Sequence, residues 1–165
     1  MKLESTIKIG NGEVFKTVYD EDSDPMEGLE GKIIQGIHAF CFYEDRMVLV
    51  KHPKSGWMPP GGGVEIGENI AEATIREVKE ETNMKVLHQE LIGFLDVFES
   101  NRTVRQVRSF CIVEPYGDFV EDSDGEITEI KLIDPKDYKQ YFNWGEVGDR
   151  IMETAMELCK LKNLI

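Results

Sequence analysis

The sequence predicts an α+β fold, a mixed β-sheet flanked by helices. Three observations predict it. Short apolar runs of strand length precede a helical stretch that follows Glu68, further apolar runs come after it, and a second amphipathic stretch closes the chain. Residues 7–9 and 14–15 flank Gly10-Asn11-Gly12, a strong hairpin signal. Residues 20–25 are mostly acidic and read as a solvated loop, so that 1–32 form an N-terminal hairpin and loop. Residues 36–43 and 46–51 read as paired strands across Glu44-Asp45. Pro59-Pro60-Gly61-Gly62-Gly63 is expected to be a loop with almost no side chains. After the helix, residues 85–98 hold one or two strands, 99–103 a polar turn and 104–113 another strand. Residues 118–126 are an acidic loop and 127–133 an alternating strand. Pro135 opens a short helix, since proline suits a first helical position. The last helix, 145–163, would bury Val147, Ile151, Ala155, Leu158 and Leu161. At 165 residues, with no repeat or linker, the chain is expected to be one domain, 1–165.

The central helix carries an unusual cluster. Glu77, Glu80 and Glu81 stand at i, i+3 and i+4, so their carboxylates share a face and repel. Such a face is either a solvated acidic surface or a ligand set for a hard divalent cation, which prefers oxygen donors. A projection at 100° per residue puts Ala71, Ile75, Val78 and Thr82 on one packing stripe and the three acids on another sector. Arg76 lies beside the acids. It could hold them in place, or reach back to Glu68. The glycines before the helix would let backbone approach a ligand closely, and the helix start offers free N–H groups to anions. Glycine loop and acid face together suit a metal-bridged diphosphate.

These residues resemble the signature of the Nudix hydrolase family, carried here by Gly62, Glu68, Arg76-Glu77, Val78, Glu80-Glu81, Asn83 and Met84 within a box at 61–84. One position departs: Asn83 stands where the family has Gly, and Asn tolerates the left-handed conformation that a helix end uses. The resemblance implies an α/β/α sandwich. It implies that Glu77, Glu80 and Glu81 ligate Mg²⁺ or Mn²⁺, with the backbone carbonyl of Gly61 completing a site. Arg76 would orient the carboxylates and pair with Glu68. Glu80 or a loop acid would activate water, and among Glu121, Asp124 and Glu126 the choice falls on Glu126. The implied reaction is hydrolysis of a nucleoside diphosphate linked to another moiety, with a nucleoside triphosphate or oxidised nucleotide as first substrate. ADP-ribose, nucleotide sugars, dinucleotides and RNA ends are alternatives. A nucleotide-sensing domain without turnover and a prenyl diphosphate isomerase are the rival readings. The latter needs a reactive cysteine, and Cys41 is expected on a buried strand face.

Around the box, Gly61, Gly62, Gly63, Trp57 and His38 are the candidate substrate contacts. Trp57 either stacks on a base or packs as a core aromatic. His38 shares a strand face with Phe40, and its plainer reading is a structural histidine. Arg102, Arg105 and Arg108 read as solvated hairpin charge, or as contacts to phosphate or ribose. Tyr141, Phe142 and Trp144 read as core or lid packing.

Composition sets further bounds. The net charge of −13 argues against binding long nucleic acid, and a small-molecule nucleotide complexed with metal is the expected partner. No apolar run reaches the ~20 residues of a membrane helix. Cys41, Cys111 and Cys159 are odd in number and widely spaced, which suits reduced thiols in a cytoplasmic protein. A homodimer through the N-terminal hairpin is a further expectation.

Overall fold

The structure, a computed structural model, describes residues 1–119, 127 and 129–164. Nine strands form one mixed sheet. The hairpin β1 (Lys2–Lys8) and β2 (Val14–Asp20) pairs antiparallel and joins the rest through β7 (Met84–Phe98). Next come β8 (Thr103–Pro115), β3 (Lys32–Tyr43), β4 (Arg46–His52) and the short β5 (Gly56–Met58), in the order β1-β2-β7-β8-β3-β4-β5. Only β3 and β8 run parallel among the pairs described, which makes the sheet mixed as the sequence predicts. Two further strands branch from this path. β6 (Gly61–Gly63) pairs β3, and β9 (Glu129–Ile133) pairs β4. Residues 85–98 therefore form one long strand, with register shifts near Val86 and Leu91.

Side chains alternate across β3, and each set faces a different helix. Ala39 and Cys41 pack with Val78 of α1 (Ile70–Thr82). Phe40 and Phe42 pack with Ile151, Met152 and Ala155 of α2 (Gly145–Leu161). Fully burying such a residue contributes roughly 1.5–3 kcal/mol, so these two layers hold β3 from both sides. A 3₁₀ helix, Pro135–Gln140, leads into α2 and starts with Pro135 as expected. No helix among the described residues is long and apolar enough to cross a membrane.

Four local expectations need correction. The glycines 61–63 are a paired strand rather than a loop, because they lie against β3. The acidic segment after β2 is not wholly solvated: Asp20 and Pro25 are buried, and Asp20 accepts from the backbone N–H groups of Asp22 and Ser23. The packing stripe of α1 is Ala73, Thr74, Val78, Glu81 and Thr82, while Ala71 and Ile75 are exposed. Val78 and Thr82 face inward as projected, but the buried face is turned toward Ala73, Thr74 and Glu81, so a threonine and a carboxylate take the places given to Ala71 and Ile75. In α2, Met152 and Cys159 join the buried stripe, while Leu161, about 200° round the helix from Cys159 at 100° per residue, points away from it and is exposed.

Candidate active site

The site lies where β6 leaves β3 and α1 crosses behind them. Helix α1 begins at Ile70, two residues after Glu68, behind an Asn69 cap. Asn69 accepts from the N–H of Glu72, and the Glu72 carboxylate accepts from the N–H of Asn69, a reciprocal capping box. This fixes the helix start, and with it the phase of every acid downstream.

That phase places Glu81 against β6. Its carboxylate is buried at 3% exposure and accepts from the backbone N–H of Gly61 at 2.9 Å. His52, at the end of β4, stands 3.9 Å from its other oxygen. Glu77 is half-buried beside Gly62. A methyl group added at Gly62 would come within 2.5 Å of the Glu77 carboxylate, so any larger residue there would push the acid out of its present seat. Gly61 is as constrained: an added methyl would sit 2.2 Å from the carbonyl oxygen of Ile37. Glu80 faces outward and is exposed.

Arg76 resolves the two alternatives by doing both. Its Nε and Nη2 donate to the two oxygens of Glu68 at 2.7 and 2.9 Å. Its Nη1 donates to Glu77 at 2.7 Å and to Glu80 at 3.3 Å, and Nη2 also reaches the carbonyl of Gly63 at 2.8 Å. One planar fork thus ties together the segment before α1, the glycine strand and the acid cluster. The hydrogen bonds from Arg76, helped by the backbone N–H of Glu65, hold the Glu68 carboxyl down to about 2. The same acids, Glu68 first, raise the affinity of Arg76 for its proton.

Glu77, Glu81 and Glu80 supply oxygen donors only, next to glycine backbone, which is the chemistry a hard divalent cation takes. Among the described residues no three acid, histidine or cysteine side chains already meet at one point. The fit of a metal therefore rests on donor type and on the Gly62 cradle. Asn83 ends α1 with φ 55° and ψ 40°, the left-handed conformation expected of it. Its side chain also donates to the carbonyl of Asp118, and its carbonyl accepts from the N–H of Tyr116. Glycine could supply the turn and the second contact but not the first. Glu121, Asp124 and Glu126 lie outside the described residues.

The other candidates separate. His38 pairs with Gly61 in the sheet, lines a small cavity with Gly62, Gly63 and Gln106, and meets the Trp144 ring edge-on at 5.0 Å. Burial, with Arg108 and His52 nearby, holds it neutral well below the usual histidine range. Trp57 stands edge-on to Tyr141, with the ammonium groups of Lys51 and Lys131 over its ring. Phe142 is buried in the core, and Trp144 covers Phe40 and His38. The three arginines after β7 differ sharply. Exposed Arg102 pairs with half-buried Glu99 on the hairpin, whereas Arg105 and Arg108 are buried on opposite faces of β8. Reading all three as hairpin charge fails for two of them, because β8 extends deep into the sheet. Cys41 and Cys111 face each other across β3 and β8, both buried. Burial first, then the hydrogen bond with Cys111, pushes the Cys41 thiol up, away from a reactive thiolate. His52 is the residue that sequence reasoning missed. Its only signal is its place at the end of a strand just ahead of the glycines.

The NUDIX domain family profile matches residues 34–154. Nudix hydrolase 5 of Arabidopsis thaliana is 27% identical over 135 residues, covering 75% of this chain and 44% of that protein. An RNA pyrophosphohydrolase of Xanthomonas campestris pv. campestris is 32% identical over 96 residues, covering 55% of this chain and 46% of that one. The chain spans about half or less of the curated relatives it matches most strongly. A crystal structure of a Bacillus subtilis pyrophosphohydrolase superposes with a TM-score of 0.61 at 22% identity, covering 78% of this chain and 77% of that one. The matched span holds the glycine strand, the Arg76 fork and the acid face of α1 together, and the chain belongs to the Nudix family.

Proposed function

We propose that the protein hydrolyses the diphosphate linkage of a nucleoside diphosphate derivative, using Mg²⁺ or Mn²⁺. The observation that carries this reading is the pair of carboxylates, Glu81 and Glu77, held against the backbone of Gly61 and Gly62. Glu77, Glu80, Glu81 and the Gly61 carbonyl would hold the ion, which when bound neutralises phosphate oxygens and acidifies water. Arg76 keeps two of those acids oriented and neutralises part of their mutual repulsion. Gly61–Gly63 present backbone without side chains, so a diphosphate can lie close. Glu80 is the most exposed of the three acids and is our choice to accept a proton from attacking water, with Glu126 as the alternative. His38, held neutral, stands beside the glycines as a hydrogen-bonding contact for substrate.

Nudix hydrolases act on small nucleotides, and a nucleoside triphosphate or oxidised nucleotide is the first substrate to test. A triphosphorylated RNA end is the second, since one relative is named an RNA pyrophosphohydrolase. The charge of −13 favours the small substrate. Hydrolysis of a panel of nucleotides with Mg²⁺, compared between wild type and Glu81→Gln, tests the proposal. We expect a loss of at least about 10–100-fold, the cost of removing groups that support a metal. Equal rates in the two proteins would refute it.

A further inference from the structure

A second cavity of ≈ 400 Å³ lies on the α2 face of the sheet, between the first hairpin and the start of α2. Its lining has a distinctive chemistry. Lys8, Arg108, Ser5, Thr17 and Asn143 face it, with the Trp144 ring, and among the described residues no aspartate or glutamate does. The chain has 32 acids, so a cationic pocket without one stands out.

Arg108 is the centre of this pocket. It is 95% buried, by its 5% exposure, yet no carboxylate among the described residues pairs with it. Its Nη2 donates to Gln106 at 3.1 Å and its Nη1 makes a long contact to the Val107 carbonyl, while Nε is buried with no partner. The Trp144 ring lies 5.2 Å from the guanidinium. Burial without a counter-charge pushes Arg108 down to about 10. An isolated buried charge is costly, and proteins pair such groups or give them a ligand. The first turn of α2 lies at the same cavity through Gly145, Val147 and Gly148. Trp144 caps that helix without a side-chain hydrogen bond; Asn143 satisfies the Gly145 N–H. The positive end of the helix dipole therefore adds to the cations.

We propose that this cavity is a phosphate subsite, in which Arg108, Lys8 and the start of α2 hold a phosphate of the substrate remote from the linkage that is cut. The inference rests on the hydrolase reading above and names its substrate class: a nucleotide with a further phosphate monoester beyond the diphosphate. The two sites adjoin. Gln106 lines both this cavity and the one formed by His38, Gly62 and Gly63. Its amide donates to Gln35 and accepts from Arg108, so one side chain links the glycine strand to the guanidinium. A substrate laid along Gly61–Gly63 reaches Arg108 by passing Gln106 and His38.

The test uses the whole chain with Mg²⁺ and matched pairs that differ by one phosphate: ADP-ribose with its 2′-phosphate, and NADH with NADPH. The wild type is expected to favour the phosphorylated member by about tenfold or more in kcat/KM, the value of a charge-assisted hydrogen bond. Arg108→Gln should bring that ratio close to one, Arg108→Lys should retain part of it, and Lys8→Gln should lower it a few-fold. In parallel, inorganic phosphate is titrated without metal or nucleotide and followed through the Trp144 indole N–H resonance. A saturable shift in the wild type that Arg108→Gln abolishes supports the subsite. Phosphate saturation with no nucleotide cleaved leaves the subsite standing and removes the hydrolase reading. Cleavage of both members at equal rates overturns the subsite while hydrolysis stands. If Arg108→Gln does not fold, the wild-type ratio and Lys8→Gln still decide.

Discussion

Arg105 and Arg108 stand three residues apart on one strand, both buried, and they have opposite fates. Arg105 is saturated. Its Nε and Nη2 clasp the two oxygens of Asp96 at 2.8 and 3.1 Å, and its Nη1 reaches the carbonyls of Pro25 and Glu27, both at 2.6 Å. The Phe94 ring lies 3.9 Å from its guanidinium, and Lys32 supplies Asp96 with a second cation at 2.9 Å. Among the described residues Arg108 has no anionic partner. The first arginine thus clamps the loop after β2 onto the sheet, and the second holds an unspent charge at a cavity. Burial alone does not separate a structural arginine from a functional one; the completeness of its partners does.

Substituting each by methionine breaks the comparison most directly. Arg105→Met leaves Asp96 buried with only Lys32 and frees two loop carbonyls, so it should cost about 3–5 kcal/mol. Arg108→Met orphans no carboxylate and should stay within about 1 kcal/mol of wild type. Urea denaturation of the two variants measures both. Similar losses would mean that Arg108 carries a structural load after all.

Acid sharpens the same contrast. Burial tends to raise the Asp96 pKa, but the hydrogen bonds and charges of Arg105 and Lys32 outweigh it and hold the carboxyl below its ordinary value. A carboxyl depressed in the folded state adds stability that is whole above its unfolded value of about 3.9, and that stability is lost as pH falls through the lower folded value. The stability gap between wild type and Arg105→Met should therefore narrow below about pH 4. A gap that is flat from pH 7 to pH 3 would show that Asp96 is not what Arg105 serves.

Much of the site was legible in the sequence. The spacing of Glu77, Glu80 and Glu81, with Arg76 and Glu68, is local along one helix and its approach, and local geometry is what periodicity reads. What stayed hidden was non-local. That Gly61–Gly63 form a strand depends on Gly36, where an added methyl would lie 2.5 Å from the Gly62 carbonyl oxygen. That Glu81 faces inward depends on the Gly61 N–H that receives it. Arg105 and Arg108 look alike in sequence because what tells them apart, Pro25, Glu27 and Asp96 around one and the Trp144 ring beside the other, is brought to β8 only by the fold. The strand over residues 104–113 was read from its pattern, but the pattern could not say which face would bring Asp96 to Arg105.

Lys32 gives the smallest effect and the finest division of the Arg105 clamp. It is 24% exposed at the side chain, and Asp96 retains both arginine hydrogen bonds without it. Lys32→Met should cost only about 0.5–1.5 kcal/mol, the range of a single partly solvated polar contact. The double variant with Arg105→Met is more telling. Once the guanidinium is gone, Lys32 is the remaining cation on a buried carboxylate, so its removal should cost more there than in the wild type, a coupling of about 1 kcal/mol or more. Strict additivity in that cycle would mean that the two cations do not share Asp96, and the contrast with the solitary Arg108 would then rest on the loop carbonyls alone.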